Sequence, residues 1–434
     1  MRAMGDRVLE ILFVSQWPPS PAALGAQRRV EGLMVALARR HRVSCVSLIA
    51  PRFDRQAAER AMRAYCDEVV LVPSRPDVGI GKRLRQLRSL ASFQSYERRE
   101  FALPGLHRAL DGLLRRRRFD VVSIEGLHLA HGRVRRAPPG APAPRVLLDE
   151  HNVEFDLARQ SVDASEGVLR RLHHSVNWRK IRREEVAAWR AADGVAFTSR
   201  DDLARARVLV PALRATVIPN GVDVERFRPG PHLPAGDGRT VLFFGTLNYF
   251  PNQDAVLQFL RQTWPLLERS NPSAKLKIVG PYPTPEVLAF QGPKIEVTGL
   301  VDDVRPHISA AACVVAPLRV GGGTRFKIIE AMALARPVVS TTIGAEGIGA
   351  TAGRDILIAD EPAAFAAAVD RVLRDPHLEG RLGAAARRLV EERYGWGAVA
   401  ADLEAFLLRL LDEAPPHRTG QPRSSHAGRE RPGR

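Results

Sequence analysis

The residues that decide the fold are Cys313–Thr341, CVVAPLRVGGGTRFKIIEAMALARPVVST. A short apolar run, Cys313–Ala316, leads through three consecutive glycines into a helical pattern that begins near Thr324, and a second apolar run follows at Pro337–Thr341. A strand, a glycine loop, a helix and another strand form the unit from which helix-covered parallel sheets are built. This stretch therefore predicts an α/β fold.

The same alternation of short apolar runs and helical stretches continues along the chain. In the first half the predicted strands are Val8–Val14, Arg42–Ile49, Glu68–Val72, Asp120–Ile124, Arg145–Leu148 and Gly194–Thr198. In the second half they are Thr240–Phe244, Lys275–Val279, Lys294–Thr298, Cys313–Ala316, Pro337–Thr341 and Ile356–Ile358. Helical stretches lie between the strands, so the sequence predicts two doubly wound, Rossmann-like domains.

Composition changes mark the predicted domain boundaries. The segment RFRPGPHLPAGDG is rich in Pro and Gly, which is typical of a linker. The last residues, HRTGQPRSSHAGRERPGR, contain nothing that could anchor a core. We predict a first domain at 1–223, a linker at 224–239, a second domain at 240–396, a C-terminal helix at 397–416 and a disordered basic tail at 417–434.

The net charge is unevenly distributed along the chain. The 434 residues carry 65 Lys and Arg side chains against 48 Asp and Glu, a net charge of +17. Residues 1–215 hold 39 basic and 24 acidic side chains, or +15, whereas residues 216–416 hold 21 and 23, or −2. The tail at 417–434 holds 5 and 1, or +4. The two halves are therefore expected to meet different partners.

Composition also excludes several classes of protein. No run approaches the roughly 18–20 apolar residues that a spanning helix needs, and Asp6 and Glu10 interrupt the apolar run that a signal peptide would require. Cys45, Cys66 and Cys313 are too few and too far apart for a disulfide framework or a metal-ligand cluster. We expect a globular protein of the reducing cytoplasm.

The glycine run at 321–323 is the strongest candidate for a ligand site. Glycines let backbone amides approach a ligand closely, and the start of the following helix adds free N–H groups that favour phosphate. Arg325 and Lys327 bring two cations to the same turn, and a carboxylate at Glu330 can accept ribose hydroxyls. The spacing is not that of a Walker loop. A buried βα turn, whose glycines only permit tight packing, is the alternative interpretation.

Several motifs in the second half resemble the nucleotide-binding domain of the retaining, GT-B fold glycosyltransferases of family 4. They are, in chain order, IPNGVDVERF, VLFFGTLNYFPNQDAV, LKIVGPYP, IEVTGLVDDV, VVAPLRVGGGTRFKIIEAMALARPVVST and ERYGW. The first half is similar through PPSPAALGAQRR and LLDEHNVEF. The details PNQDA and GGGTRFK are similar to a bacterial branch of sugar transferases associated with exopolysaccharide synthesis.

The resemblance implies that the two domains face a cleft, with a nucleotide diphosphate sugar bound to the second domain and the acceptor to the first. Glu330 matches the second acidic residue of the E-x7-E motif of the family, which accepts the ribose hydroxyls. The first acidic position of the motif falls at Gly322. Since that carboxylate helps to hold the donor sugar in the family, we expect the amides of Gly322, Gly323 and Thr324 to take over its role.

A second departure from the family concerns the cations that bind the diphosphate. The family carries an Arg after the glycine that follows the first strand of this domain and a Lys about five residues on. This chain has Thr246 after Gly245, and Pro251-Asn252 where the Lys is expected. A cation must still neutralise the leaving diphosphate. We therefore expect Arg325 and Lys327 to do so, with the backbone of Gly245–Asn248 against the phosphates or the sugar.

The sequence DEHNVE at 149–154 is a second candidate for the active site. It directly follows the strand Arg145–Leu148, and open α/β sheets bind ligands at the carboxyl ends of their strands. The resemblance places His151 near the donor sugar, where an imidazole can hydrogen-bond a hydroxyl or relay a proton. The alternatives are that Glu150 or Glu154 caps the next helix and that His151 is structural.

Two further strand ends are weaker candidates. The loop Pro18–Arg28 follows the first strand and contains Gly25, and the resemblance implies that this loop lies at the cleft near the transferred group. An ordinary βα turn would show the same pattern. Glu125 follows the strand Asp120–Ile124 in the same way.

The sequence suggests no metal site. The acidic pairs Asp201-Asp202 and Asp302-Asp303 each stand at the start of a helical stretch, where carboxylates cap free N–H groups. The resemblance agrees, because enzymes of this family do without a divalent ion. We expect no cofactor besides the nucleotide diphosphate sugar substrate.

The basic first half has three possible interpretations. Residues 81–136 carry 14 basic and 5 acidic side chains, and residues 170–190 carry 7 and 2, interleaved with aromatic and aliphatic residues. Such helices are typical of proteins that lie on anionic lipid. Nucleic acid is disfavoured because no recognised binding motif accompanies the charge. A solvated surface in an Arg-biased composition is the remaining interpretation.

The sequence thus predicts a metal-independent, retaining glycosyltransferase. Its donor is expected to be a nucleotide diphosphate sugar and its acceptor a lipid-linked or nascent glycan of the bacterial cell envelope. The protein would be cytoplasmic and peripheral on the inner face of the membrane. The alternatives are a sugar-nucleotide epimerase or hydrolase on the same architecture and an inactive, membrane-associated scaffold.

Overall fold

The structure is a computed structural model that describes residues 7–22, 25–75, 80–131, 134, 136–163 and 168–413. The predicted tail at 417–434 lies outside the described residues, as does Asp6. None of the described helices is both long and apolar enough to cross a membrane.

The described residues form two parallel sheets and the helices that cover them. The strands are β1 Glu10–Ser15, β2 Arg42–Ile49, β3 Glu68–Pro73, β4 Val121–Glu125, β5 Arg145–Glu150, β6 Gly194–Phe197, β7 Ala215–Val217, β8 Thr240–Phe244, β9 Lys275–Val279, β10 Ile295–Gly299, β11 Cys313–Ala316, β12 Val338–Ser340 and β13 Leu357–Ile358. The predicted fold class, two doubly wound α/β units, is confirmed.

Helices connect the strands throughout. They are α1 Gly25–Leu37, α2 Arg55–Arg63, α3 Ile80–Leu90, α4 Tyr96–Phe101, α5 Pro104–Arg116, α6 Glu154–Asp163, α7 Val168–Ala191, α8 Arg200–Leu209, α9 Phe250–Gln258, α10 Trp264–Ser270, α11 Pro285–Leu288, α12 Arg305–Ala310, α13 Phe326–Ala333, α14 Thr342–Ala345, α15 Pro362–Arg374, α16 Pro376–Arg393 and α17 Trp396–Asp412. A π-helical turn, Phe259–Thr263, joins α9 to α10.

Each sheet is buried between two layers of helices. The strand order is β3-β2-β1-β4-β5-β6-β7 in the first sheet and β10-β9-β8-β11-β12-β13 in the second, with parallel pairing throughout. Both faces of each sheet carry their own buried apolar cluster. Strands covered on both faces are almost continuously apolar, which is why the short runs of the sequence could be recognised as strands.

Two details of the fold differ from the sequence prediction. Strand β7 was not predicted, because a three-residue strand at the edge of the sheet leaves almost no pattern. Capping of α8 was assigned to Asp201-Asp202, but the hydroxyl of Ser199 accepts the amide of Asp202 at 3.0 Å. The carboxylate of Asp303 does accept the amide of Arg305, at 2.9 Å.

The C-terminal helix returns to the first sheet. Helix α17 packs on α1, and its apolar side chains join the cluster on one face of the first sheet. The chain therefore crosses twice between the two units. The two crossing segments are hydrogen-bonded to each other, because the amide of Val222 donates to the backbone carbonyl of Tyr394 at 2.7 Å. The indole of Trp396 packs so closely on Gly32 and Gly221 that a Cβ would lie 2.1 and 2.5 Å from it, so both positions require glycine.

Candidate active site

The candidate site lies where the strand order of each sheet reverses. The reversal falls between β1 and β4 in the first sheet and between β8 and β11 in the second. Such a reversal is called a switch point. The loops that leave the carboxyl ends of the strands there diverge and leave a crevice for a ligand. Gly25 and Glu125 lie at this point of the first sheet, and Gly245 and the glycine loop, residues 321–324, lie at that of the second. Most of the predicted site residues are therefore at these two points.

His151 lies at the end of β5 against two buried carboxylates. Its Nε2 is 3.4 Å from Glu125 Oε2 and 3.6 Å from Asp149 Oδ2, and its side chain is 17% exposed. Burial alone would lower the pKa of the imidazole, but the hydrogen bonds to Asp149 and Glu125 outweigh it and raise the pKa to about 9. The raised pKa favours a protonated imidazole held by the two carboxylates, which disfavours a role as the base in proton abstraction.

Asp149 connects His151 to the opposite domain. Its two oxygens accept from Nε and Nη2 of Arg29, both at 2.7 Å, in a pair whose side chains are 1% and 3% exposed. Arg29 Nη1 also donates to Asn220 Oδ1 at 3.2 Å, and the Asn220 amide donates to the carbonyl of Thr324 at 2.8 Å. A continuous buried network thus runs from His151 through the chain crossing to the glycine loop.

The glycine loop packs directly on the first domain. Thr324 Oγ1 donates to the carbonyl of Thr198 at 2.7 Å, and the amide of Gly321 donates to Gln160 Oε1 at 3.1 Å. Gly323 has φ +69°, and a Cβ there would lie 2.7 Å from Thr198 Oγ1. The glycine is required for its backbone angle and for close contact between the domains. This packing role was the alternative interpretation of the glycine run, and it coexists with any role in binding.

Arg325 is bound to the carbonyls of its own loop. Its Nη1 donates to the carbonyls of Gly322 and Gly323, the latter at 2.6 Å, and its Nη2 donates to Ile343 at 3.2 Å. Burial lowers the pKa of the guanidinium. In this arrangement Arg325 stabilises the conformation of the glycine loop, and direct contact with a diphosphate stays a prediction.

The ammonium of Lys327 lies near the turn after β8, a turn that carries no cation in its own sequence. Its Nζ donates to Asn252 Oδ1 at 2.7 Å, lies 4.2 Å from the centre of the Phe243 ring and would be 3.2 Å from a Cβ at Gly245. Burial, reinforced by the charge of Arg325, lowers the pKa of its ammonium to about 7. The ammonium from α13 therefore reaches the turn after β8, where the resemblance led us to expect cations.

Glu330 lies one turn further along α13 and faces the first domain. It is 4% exposed, and its Oε1 accepts from Nη1 of Arg28 on α1 at 2.5 Å. Burial raises the pKa of the carboxyl, and the charge of Arg28 opposes that shift. The starts of the two helices also touch, because the Phe326 ring would lie 3.4 Å from a Cβ at Gly25. Gly25 is thus in the cleft.

The two remaining predicted residues lie in the turn after β8. The carbonyl of Thr246 accepts from Asn252 Nδ2 at 3.0 Å, so the Asn252 amide binds this turn and Lys327 at once. Asn248 follows the buried Leu247 and is exposed. Whether the backbone here contacts phosphates or sugar stays a prediction.

One group of side chains could in principle hold a metal ion. Glu125, Asp149 and His151 offer ligand atoms within 4.8 Å of one another. Both oxygens of Asp149 already accept hydrogen bonds from Arg29, and this guanidinium neutralises the carboxylate. The geometry favours a hydrogen-bonded network here, and independence of metal stays a prediction.

A cavity of about 780 Å³ opens beside the glycine loop, between α6 and α8 of the first domain and α9 of the second. Its charged lining consists of Arg159, Arg205, Arg261, Arg319, Asp254 and Glu346, and Gly321 also contributes. Arg205 pairs with Glu346 and Arg319 with Asp254. Arg261 forms no ion pair with any described residue, so the cavity carries a net positive charge.

Three important residues were not selected from the sequence: Arg28, Arg29 and Asn252. The first two stand in the quoted motif PPSPAALGAQRR and the third in PNQDAV, so their neighbourhoods were recognised. Arg28 could have been selected because a cation in the first turn of a helix that follows a switch-point strand must lie near the crevice.

Two family profiles match the chain. The profile described as Glycosyltransferase Family 4 matches residues 24–226, and the profile described as Glycosyl transferases group 1 matches residues 238–375. Together they cover α1, strands β4 and β5, the turn after β8 and the glycine loop.

Characterised relatives include two kinds of transferase. The chain is 28% identical over 297 residues to the GDP-mannose-dependent alpha-(1-6)-phosphatidylinositol monomannoside mannosyltransferase of Mycobacterium tuberculosis, covering 62% of this chain and 74% of that protein. It is 29% identical over 235 residues to the D-inositol 3-phosphate glycosyltransferase of Kineococcus radiotolerans, covering 46% of this chain and 53% of that protein.

Solved structures share the fold. The sucrose-phosphate synthase of Thermosynechococcus elongatus superposes with a TM-score of 0.69 at 20% identity, covering 92% of this chain and 99% of that one. HepE of Anabaena, solved with UDP-glucose, gives a TM-score of 0.64 at 15% identity with the same coverage. The fold is therefore that of the GT-B glycosyltransferases.

With both profiles matched across the two facing sheets, the chain belongs to the group 1, family 4 glycosyltransferases. It is an enzyme that transfers a hexose from a sugar donor. The family predicted from the sequence is confirmed, while the exopolysaccharide branch stays a prediction.

Proposed function

We propose that this enzyme transfers a sugar, with retention at the anomeric carbon, from a nucleotide diphosphate sugar to a phosphate-bearing lipid-linked or nascent glycan acceptor. The observation that carries the proposal is that a buried ammonium, Lys327, and a buried carboxylate, Glu330, lie within one turn of α13. Both side chains lie beside the switch point of the second sheet. A nucleotide diphosphate offers complementary groups, because its diphosphate can bind the ammonium and its ribose hydroxyls can bind the carboxylate.

Glu330 would accept the hydroxyls of the ribose. A carboxylate that is 4% exposed needs donors for its oxygens, and among the described residues only Arg28 is in ion-pair contact with it. Two vicinal hydroxyls supply two donors to one carboxylate, which is a bidentate arrangement. The neighbouring Phe326 and α1 close the site on the side of the first domain.

Lys327 would neutralise the diphosphate as the glycosidic bond breaks. Its ammonium lies beside Gly245, which has φ +149° and no side chain, and shares this turn with the side-chain amide of Asn252. Negative charge grows on the leaving diphosphate in the transition state, so a preorganised cation at this point lowers the barrier. A diphosphate would also raise the pKa of Lys327 from about 7 and keep it charged.

His151 would contribute a second positive charge from the first domain. Held by Asp149 and Glu125, its imidazolium orients the donor or the acceptor through its exposed edge. We assign no enzymatic nucleophile. In the proposed reaction the acceptor hydroxyl attacks the same face from which the diphosphate leaves, and the leaving phosphate receives the hydroxyl proton.

The acceptor would carry a phosphate. The cavity beside the glycine loop has four arginines against two carboxylates in its lining, and it adjoins Gly321. Guanidinium groups bind phosphate in bidentate geometry. The names of both relatives contain a phosphate-bearing inositol, which supports the same class of acceptor for this chain. We propose that Arg159, whose ion pair lies within its own helix, and Arg261, which forms no ion pair with a described residue, hold that phosphate.

The first domain would bind an anionic membrane surface, as expected for a peripheral enzyme of cell-envelope or exopolysaccharide synthesis. Leu84, Phe93 and Leu172, on and beside α3 and α7, are 51%, 85% and 57% exposed. Lys180 of α7 donates to the carbonyl of Ser89 on α3 at 2.8 Å, which joins the two helices. Arg88 of α3 and Arg171 and Arg179 of α7 are exposed and make the joint surface basic. Apolar side chains within a basic surface insert into the interface of anionic bilayers.

Flotation with liposomes tests the membrane proposal. Phe93→Ser should reduce binding to vesicles that contain anionic lipid at low salt. Leu300→Ser, which removes a 77% exposed apolar side chain from the second domain, is the matched control and should bind like the wild type. Absence of wild-type binding to anionic vesicles, or equal binding by both variants, would contradict the proposal.

Screening of nucleotide sugars by thermal shift tests the central proposal. A ligand at a hundred times its Kd should stabilise the protein by about 2.7 kcal/mol. The stabilising donor is then incubated with membrane lipid extract, and NMR reports the anomeric configuration of the product. Donor turnover without acceptor would indicate an epimerase or hydrolase, and an inverted product would contradict retention. Absence of stabilisation by any nucleotide sugar would refute the proposal.

A further inference from the structure

Arg28 joins the first domain to the nucleotide side of the cleft. It lies in the first turn of α1, and its Nη1 is 2.5 Å from Glu330 Oε1 in the second domain. The side chain of Glu330 is 5% exposed, whereas that of Arg28 is 39% exposed. The guanidinium therefore reaches a buried carboxylate while part of it remains at the mouth of the site.

In this ion pair Arg28 binds the Glu330 carboxylate, which is the group proposed to accept the ribose hydroxyls. Vicinal hydroxyls require the oxygens of Glu330, and Arg28 already holds one of them. A nucleotide must displace or share this contact. A displaced guanidinium would remain within the cleft, because α1 is fixed there: Gly25 packs on Phe326, and Arg29 is fully buried on Asp149.

Lys327 is the described cation of the second domain that reaches the turn after β8, and a diphosphate carries more negative charge than one ammonium neutralises. Lys327 supplies one ammonium, and its pKa near 7 leaves it only partly charged in the absence of an anion. In this arrangement the guanidinium of Arg325 donates to the carbonyls of Gly322, Gly323 and Ile343. Of the described cations that contact Lys327 or Glu330 directly, Arg28 is the one that comes from the opposite domain.

We propose that Arg28 is a donor-binding residue that exchanges partners, pairing with Glu330 in the empty enzyme and with the diphosphate once the ribose occupies Glu330. The proposal rests on the proposed function, since it assumes a nucleotide diphosphate in the site. The exchange keeps one cation bridging the two domains in both states, so the cleft remains closed around the donor.

Isothermal titration of Arg28→Gln with the nucleoside, the nucleoside monophosphate and the nucleoside diphosphate of the preferred base tests the exchange. Loss of a charge-assisted hydrogen bond should weaken binding of the diphosphate by about tenfold or more. Binding of the nucleoside should be unchanged or tighter, because Glu330 is then free. Arg28→Lys should recover part of the preference for the nucleoside diphosphate over the nucleoside.

Arg39→Gln is the matched control. Arg39 is exposed just beyond the C-terminal end of α1, so the variant removes the same charge from the same region without altering the cleft. It should bind all three ligands like the wild type. A ratio of diphosphate to nucleoside affinity that does not fall in Arg28→Gln would refute the role of Arg28, and tighter diphosphate binding would show that Arg28 only competes for Glu330.

The two proposals fail in different ways. Wild-type protein that bound no nucleotide of any base would refute the proposed function and this inference with it. Wild-type binding of a nucleoside diphosphate together with an unchanged ratio in Arg28→Gln would refute only the inference. Because the readout is a ratio of affinities within one variant, partial loss of folded protein does not affect it.

Discussion

Replacing Lys327 by Met should make the unliganded enzyme more stable and less active. Methionine has a similar length and retains contact with the Phe243 ring, but it removes a charge that is 9% exposed. The pKa of Lys327 falls from 10.5 to about 7 on folding. At about 1.36 kcal/mol for each tenfold change in proton affinity, the buried ammonium destabilises the folded state by about 4 kcal/mol at neutral pH.

Part of that gain is lost in the variant. Asn252 Oδ1 loses its donor, which costs about 1–3 kcal/mol. The expected net gain is therefore about 2 kcal/mol at pH 7, measured by urea unfolding in the absence of nucleotide. Asn252→Ala alone is the control for the lost hydrogen bond and should not be stabilising.

The gain should depend on pH with a defined sign. Between the folded pKa of about 7 and the unfolded pKa of 10.5, the unfolded chain binds the proton and the folded chain does not, so wild-type stability rises with pH in this window. The advantage of Lys327→Met is thus largest below pH 7. It vanishes at about pH 9, where the penalty on the ammonium has fallen to about 2 kcal/mol and equals the cost of the lost hydrogen bond, and it reverses at higher pH. An advantage that is absent at pH 6.5, or that grows with pH, would refute the assignment of a destabilised ammonium.

Catalysis should change in the opposite direction. Removal of one preorganised group that stabilises developing negative charge lowers kcat by about 10²–10³-fold. Loss of only a few-fold in kcat would make Lys327 a structural residue and would refute the reasoning from its position beside Gly245.

Two further predictions concern the contact between the domains. Gly323→Ala should destabilise the protein and reduce kcat/KM, because a Cβ would lie 2.7 Å from Thr198 Oγ1. Gly299→Ala is the control for backbone strain, because Gly299 has a similar φ (+72° against +69°) and a Cβ there would have nothing within 4 Å. An equal loss of stability in both variants would contradict the proposed contact. Asp149→Asn should reduce the free energy of unfolding by about 3–5 kcal/mol, because it leaves a buried guanidinium unpaired. A loss below about 1 kcal/mol in urea unfolding, or an unchanged pKa of His151 by NMR, would contradict the network.

Local patterns in the sequence were sufficient to predict every strand except β7, together with the strand-end loops that carry the candidate residues. Strands Arg42–Ile49, Thr240–Phe244, Lys275–Val279 and Cys313–Ala316 have the predicted bounds, because short apolar runs ended by turn residues define them. The glycine run was identified for the same reason, since its composition is local.

Contacts between distant residues had no such signal. The pairing of Arg28 with Glu330 joins residues 302 positions apart, and the return of α17 to the first sheet depends on tertiary packing alone. The hydrogen bonds from Arg325 to the carbonyls of the glycine loop likewise depend on how the loop folds, and contact of Arg325 with a ligand stays a prediction. Such choices are decided by geometry that appears only when both sheets are assembled.

The most direct test of the account compares a nucleoside diphosphate with its 2′,3′-dideoxy analogue in wild-type protein and in Glu330→Gln. If Glu330 accepts the ribose hydroxyls, the wild type should bind the dideoxy compound about tenfold or more weakly, and Glu330→Gln should discriminate little between the two. Equal wild-type affinity for both compounds, or undiminished discrimination in Glu330→Gln, would contradict the assignment of the donor site.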